Sequence, residues 1–280
     1  MKKFSKLMLA MAIPAALLAG NANAALITSF SYENQVAFTA PLNSGVTGSD
    51  TNNSVNFDLA AIANPQNGKF TRLSWGNETA QSSFFLSGFS GAAPNTGQYS
   101  GIVNTNNNPD NGSNGFVTDA ILNHQNNPIT GPTLTSTTLT GSLLLKGIPN
   151  NEFFTPNLLT GVFNIKFLET PNQSSGCTNT PTDPTNFCPD IFAIDPNGSS
   201  PLTNIALGII DDYSYFLDVN IGGALGPLND ASCALVNLGN GCFGFVTQES
   251  ALNTLVLQFR VRAVEVPDQV PELAPWLSRA

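Results

Sequence analysis

The segment NTLVLQFRVRAV, residues 253–264, alternates between two sets of side chains. Leu255, Leu257, Phe259 and Val261 fall on one parity, and Val256, Gln258, Arg260 and Arg262 on the other. Successive side chains of a strand point to opposite faces of a sheet, so this spacing predicts a strand with one dry and one wet face, the pattern of antiparallel sheets. Similar runs recur. ITSFSYENQVAFTA alternates around Phe30, Tyr32, Val36 and Phe38, and LTGVFNIKFLET sets Phe163, Ile165 and Phe167 against Val162, Asn164, Lys166 and Leu168. RLSWG and SSFFLSGF flank a turn near Gly76, and TLTSTTLTGSLLLKG, DIFAI, YSYFLDVNIG and CFGFVTQE complete the predicted strands. Clusters of Asn, Gly, Pro and Ser separate them. Long amphipathic helices carry charge on their wet face, and only 10% of the 280 residues are charged, so no long amphipathic helix is expected. The expected fold is all-β, an antiparallel β-sandwich with long polar loops, formed by residues 25–264 as one domain. The Gly/Asn/Pro-rich stretch from Ser90 to Asn114 is expected to be an exposed loop.

MKKFSK places Lys2, Lys3 and Lys6 ahead of the apolar run LMLAMAIPAALLAG, and Ala22 and Ala24 supply the small residues that signal peptidase accepts. Residues 1–24 are therefore expected to be a cleaved secretory signal. The run is short for a transmembrane helix, which needs ~20 apolar residues, and no later segment is long and apolar enough, so no membrane anchor is expected. Without Lys2, Lys3 and Lys6, seven basic residues face 19 acidic ones, and the formal charge moves from −9 to −12. A chain this acidic, with no basic cluster, is a poor binder of nucleic-acid phosphates, and no nucleic-acid partner is expected. The four cysteines fall in two local pairs, Cys177 with Cys188 and Cys233 with Cys242. An exported chain meets oxidising conditions, and short loops favour local pairing, so two local disulfides are expected. The competing reading is a zinc site with four thiolate ligands, but ten and eight intervening residues lack the short Cys-to-Cys spacing of a zinc knuckle.

His124 is the only histidine. Catalysis would require a nucleophile and an orienting acid beside it, and the sequence contains neither a G-x-S-x-G elbow nor an H-E-x-x-H motif. Its neighbours Asn123, Gln125, Asn126 and Asn127 are neutral amides. The expected role is structural, with the ring bonded to turn backbone at the start of the following strand. Asp211 and Asp212 are adjacent and would point to opposite faces of a strand. Asp58, Glu78, Glu169, Asp190 and Glu249 are scattered, with nothing to pair any two of them as an acid and a base. DNGSNG (Asp110–Gly115) and DPNG (Asp195–Gly198) offer oxygen ligands but lack the late Glu of an EF-hand loop, so ordinary Asn/Gly turns are expected there. Calcium is the one cofactor that the acidic balance leaves open.

NHQNNPI, LTSTTLTGSLLL, FNIKFLETPN, CPDIF, YSYFLDV and GCFGFVTQES, in this order and spacing, resemble the THxN family of PEP-CTERM proteins. The name motif maps onto Asn123, His124, Gln125 and Asn126, with Asn123 in place of the expected Thr. The resemblance implies an exported protein of a Gram-negative bacterium, associated with exopolysaccharide and biofilm matrix; it implies no reaction. Val270-Pro271-Glu272 resembles the start of the sorting signal, but Leu273 replaces the second Pro and only seven residues follow. Residues 265–280 are thus expected to be a short tail with a degenerate signal.

The leading functional expectation is a secreted, non-enzymatic surface or extracellular-matrix protein with exopolysaccharide or other matrix components as partners. Amide side chains suit sugar hydroxyls, and Trp75, Tyr99 and Tyr213 could stack on sugar rings. A carbohydrate-binding module, with or without calcium, is the alternative, and a hydrolase centred on His124 is the third.

Overall fold

A computed structural model describes residues 26–39, 43–49, 70–77, 79–88, 98–106, 115–148, 153–172, 177, 188–197, 199, 202–222 and 225–266. The expected signal, the loop from Asp110 to Asn114 and the tail beyond Val266 lie outside them.

The strands are β1 (Ser29–Phe38), β2 (Thr47–Ser49), β3 (Arg72–Asn77), β4 (Ala80–Gly88), β5 (Gln98–Asn104), β6 (Val117–Asn126), β7 (Ser136–Ile148), β8 (Phe153–Leu168), β9 (Asp190–Asp195), β10 (Ile205–Ile210), β11 (Tyr213–Gly222), β12 (Gly226–Pro227), β13 (Phe243–Thr247) and β14 (Ala251–Glu265), with one helix, α1 (Asp230–Leu235). Sheet A runs β12-β13-β9-β8-β7-β1-β5 and sheet B runs β10-β11-β14-β6-β4-β3-β2. Every ladder within them is antiparallel. Each sheet curls into a half-barrel, and the apolar parities face inward.

The alternation read from the sequence sets this packing. Leu255, Leu257, Phe259 and Val261 of β14 are buried, as are Phe30, Tyr32, Val36 and Phe38 of β1 and Ile165 and Phe167 of β8. One end of the interior is an aromatic core around Trp75, Phe84, Phe167 and Phe192; the other gathers Phe30, Tyr32, Tyr215, Leu145 and Phe259. On the outer face of sheet B, Asp218 accepts from Arg260 Nε at 2.9 Å and Arg262 Nε at 2.6 Å, and from the backbone N–H of Asn204 at 2.9 Å. These bonds, that of Arg262 first, hold its carboxyl well below the usual carboxylate range.

One expectation changes. The stretch Ser90–Asn114 contains a strand: β5 pairs with β1 along its whole length and buries Tyr99 and Val103. Its polar residues take the outward positions, which is why composition alone reads it as loop. The all-β frame also carries α1, six residues capped by Asn229, whose side chain accepts from Ser232 N at 2.7 Å. A helix this short needs no charged face. The two expected disulfides are present, Cys177–Cys188 and Cys233–Cys242, with Cα separations of 5.2 and 5.7 Å, and the competing zinc reading falls. Cys233 and Val236 pack against Ile191 and Ala193 of β9, so the second bridge staples α1 to the outer face of sheet A.

Replacing Cys233 and Cys242 by Ser should lower unfolding stability by ~2–3 kcal/mol, the loop-closure entropy of a short cystine loop. Urea denaturation of the oxidised protein and the double variant measures it; an unchanged midpoint would show that the bridge stabilises nothing.

Candidate functional site

His124 lies in the interior of β6, and the ring is 1% exposed. It stacks on Trp75 (5.6 Å, 27°) and meets Phe84 at 4.8 Å and Phe167 at 5.2 Å. Among the described residues, neither ring nitrogen has a hydrogen-bond partner. The expected bond to turn backbone is absent: β6 begins at Val117, seven residues earlier, and the parity of Ala120 and Leu122 carries His124 inward with them. Burial pushes the imidazole down to about 3, so it is neutral at physiological pH and cannot reach a substrate in solvent. The other motif residues divide by parity. Asn123 faces outward, donating to Ser87 Oγ at 2.8 Å and accepting from Thr254 Oγ1 at 3.2 Å. Gln125 donates to Asn127 Oδ1 at 3.2 Å. Asn126 is fully buried and donates to Thr247 Oγ1 at 3.4 Å. The motif is thus a strand segment with one face in the core.

A cleft of about 270 Å³ opens between the sheets, where β8 of sheet A approaches β10 and β11 of sheet B. Leu139, Leu143, Phe163, Leu217, Leu257 and Phe259 are among its walls. Its floor exists because two cross-strand partners, Gly141 of β7 and Gly161 of β8, both lack side chains. A Cβ at Gly141 would meet only Asn34 Oδ1, at 3.9 Å, and one at Gly161 only the Phe163 ring, at 3.7 Å. Each glycine ends a Leu-Thr-Gly triplet, residues 139–141 and 159–161, and the antiparallel register sets the two glycines opposite each other, with Leu139 opposite Phe163 and Leu159 opposite Leu143.

One carboxyl lines this apolar space. The β6–β14 register slips where Leu257 opposes Ala120 and Gln258 opposes Thr118, which leaves Asp119 as an extra residue. Such a bulge re-aims a side chain. Asp119 turns inward between the inward-facing Val117 and Ala120 and is 6% exposed. Asn34 Nδ2 donates to Asp119 Oδ2, and Oδ1 has no partner. Burial raises the carboxyl to about 7 against the opposing bond from Asn34. In its protonated form, a carboxyl at the wall of an apolar cleft can both donate to and accept from a bound molecule. Sequence reasoning missed this site. Its signal was the break in alternation at Asp119-Ala120, where the buried parity of β6 switches.

The remaining candidates are placed as follows. Trp75 and Tyr99 are core residues and Tyr213 packs beside Tyr215, so none forms an open stacking platform. Asp195 accepts from the backbone N–H of Asn197 at 2.9 Å and pairs with Lys166 at 3.7 Å, as an ordinary Asx turn does. Glu169, Asp190 and Glu249, scattered in sequence, come together, with one carboxylate oxygen of each within 4.8 Å of the others. Among the described residues, no helix is long and apolar enough to cross a membrane. The two disulfides fit an oxidising compartment. The fold and cleft define a two-sheet antiparallel β protein with an apolar interior site. Comparison with known protein families and with curated proteins gives no match.

Two outcomes follow. His124→Phe should leave stability unchanged or raise it by about 1 kcal/mol, because it removes two unsatisfied buried nitrogens at similar volume; chemical denaturation measures it. The Asp119 proton leaves near pH 3.8 from the unfolded chain and near pH 7 from the folded one. Folding therefore takes up a proton between these values, so the Asp119 contribution is complete below about pH 4 and is lost as pH rises through 7. Asp119→Asn should flatten the fall of stability across that window by about 1.4 kcal/mol per pH unit, read from urea midpoints at successive pH values.

Proposed function

We propose that this is an exported, non-catalytic protein of the cell surface or extracellular matrix that works by binding, and that its binding site is the cleft between the sheets. The observation that carries the reading is the pairing of an open apolar space with one inward-turned hydrogen-bonding carboxyl, Asp119. That chemistry suits a small molecule with an apolar body and a single polar group. A free sugar, polar on every edge, would leave its hydroxyls unpaired against Leu139, Leu143 and Phe259. The signal-like N-terminus and the disulfides support export, and the resemblance to the THxN family supports the surface or matrix setting.

Association with exopolysaccharide is a second reading, for the outer surface. The wet face of sheet B carries a ladder of neutral polar groups: Asn220 donates to Gln258 Oε1 at 2.9 Å and Gln258 donates to Thr118 Oγ1 at 3.3 Å. Uncharged donors and acceptors of this kind match sugar hydroxyls.

Gly141→Leu separates the two. Leucine there fills the cleft without a backbone clash and should stabilise the fold. An apolar fluorescent dye, competed by a long-chain alcohol, should bind the natural protein saturably and bind Gly141→Leu at least tenfold more weakly. Equal dye binding by both proteins, or none by either, removes the cleft. Calorimetric titration of both proteins with exopolysaccharide from the producing strain tests the outer face: binding unaffected by Gly141→Leu assigns it to the surface.

A further inference from the structure

Glu169 follows the end of β8, Asp190 opens β9 and Glu249 sits in the turn between β13 and β14. One carboxylate oxygen from each lies within 4.8 Å of the others. Asp190 and Glu249 have no exposed surface, and Glu169 is half-buried, at the cluster's outer side. The acids are held from behind. Trp75 Nε1 donates to Glu169 Oε2 at 2.8 Å, and the backbone N–H of Thr170 donates to Asp190 Oδ1 at 2.8 Å. The turn carrying Glu249 is pinned by Asn253, which accepts from Gln248 N at 2.8 Å and donates to Gln248 O at 3.0 Å. Ser250 completes it in the left-handed region, φ 54°.

These bonds leave oxygens facing one another. Glu169 Oε1 and Asp190 Oδ2 are buried without a hydrogen-bond partner. A separate residue adds to them. Asn126, fully buried at the end of β6, turns its Nδ2 to Thr247 Oγ1, and its Oδ1 has no donor. Thr247 is the cross-strand partner of Asp190, so the bond to Thr247 brings the Asn126 amide from sheet B to the strand pair that carries Asp190. Lys166 pairs with Asp195, and Arg260 and Arg262 with Asp218, away from the cluster. Three carboxylates this close cannot all ionise in a dry site without a counter-charge. The donors are all oxygen, which selects a hard cation over zinc or copper. Ligands of calcium lie about 2.3–2.6 Å from the ion, so oxygens up to about 5 Å apart can share one.

We propose that Glu169, Asp190, Glu249 and the amide oxygen of Asn126 bind one calcium ion between the sheets. The site is separate from the cleft and does not depend on what the cleft binds. It also gives the buried motif face a use: Asn126 supplies a ligand, and His124 backs the indole that orients Glu169. The ion would join the end of β6 in sheet B to β8, β9 and the β13–β14 turn.

Terbium, a calcium substitute excited through nearby indoles, supplies the test. Trp75 bonds directly to a proposed ligand residue; the other tryptophan, Trp276, is removed as Trp276→Phe. The chelator-treated full chain carrying that change should give indole-sensitised terbium emission that saturates at one ion per chain and is displaced by calcium. Calcium should raise the Tm of the chelated protein by several degrees, and magnesium by less. Glu249→Gln and Asn126→Ala should each weaken calcium binding at least tenfold. If Glu249→Gln misfolds, Asn126→Ala and the emission from the unsubstituted site still decide. Absent sensitised emission together with an unchanged Tm in calcium would overturn the proposal. So would calcium affinity unchanged in both variants with Glu249→Gln raising the Tm in chelator, the signature of carboxyls that simply share protons.

Discussion

Phe84 is the point on which the two sheets close. Its ring meets Trp75, His124, Phe38, Phe167 and Phe192, at centroid distances from 4.8 to 6.3 Å, most of them edge-on or tilted. Trp75, Phe84 and His124 come from sheet B, and Phe38, Phe167 and Phe192 from sheet A. Edge-to-face contacts add directional attraction to the burial of large apolar rings. This knot explains why a histidine can sit with both nitrogens unbonded: the ring is held by its faces and edges, and the cost of its desolvation is offset by the packing around it. It also sets the spacing between the sheets, and both the cleft and the acid cluster are bounded by that spacing.

The acid cluster depends on the covalent bridges as much as on the knot. Cys188 stands two residues before Asp190, and its carbonyl accepts from Thr170 Oγ1 at 2.6 Å, next to the N–H that holds Asp190. Cys242 leads directly into β13, which pairs with β9 and runs on to Glu249. Each disulfide thus anchors one strand that delivers an acid. Like-charged groups resist being gathered, and a chain with few other restraints at these loops needs such anchors to hold them together.

Much of the fold was legible because burial follows parity. Phe30, Tyr32, Val36 and Phe38, or Leu255 through Val261, announce both a strand and its inner face. The strand β5 was hidden by composition, since Ser100 and Asn104 read as loop while Tyr99 and Val103 do the packing. The sequence places His124 at a strand start, because the Asn-rich stretch around it reads as a turn; the parity of Ala120 and Leu122, which carries it into the core, is the better guide. The cleft was not legible, for it depends on Gly141 meeting Gly161 in register and on a one-residue slip at Asp119. The acids Glu169, Asp190 and Glu249 could be named but not joined, since three separate loops bring them together. The segments NHQNN, FLETPN, CPDIF and GFVTQE, which stand out in the sequence, meet at that one place.

The position of β14 has a consequence for the order of assembly. It is the last described strand in the chain, yet it lies inside sheet B, between β11 and β6. Until residues 251–265 are synthesised, β6 and β11 have no partner to join them, and sheet B exists only as two unconnected pieces. Pairings that link distant parts of a chain form slowly in any case. A polypeptide wired this way holds sheet B open until β14 is available, and closes it once β14 slots into the gap.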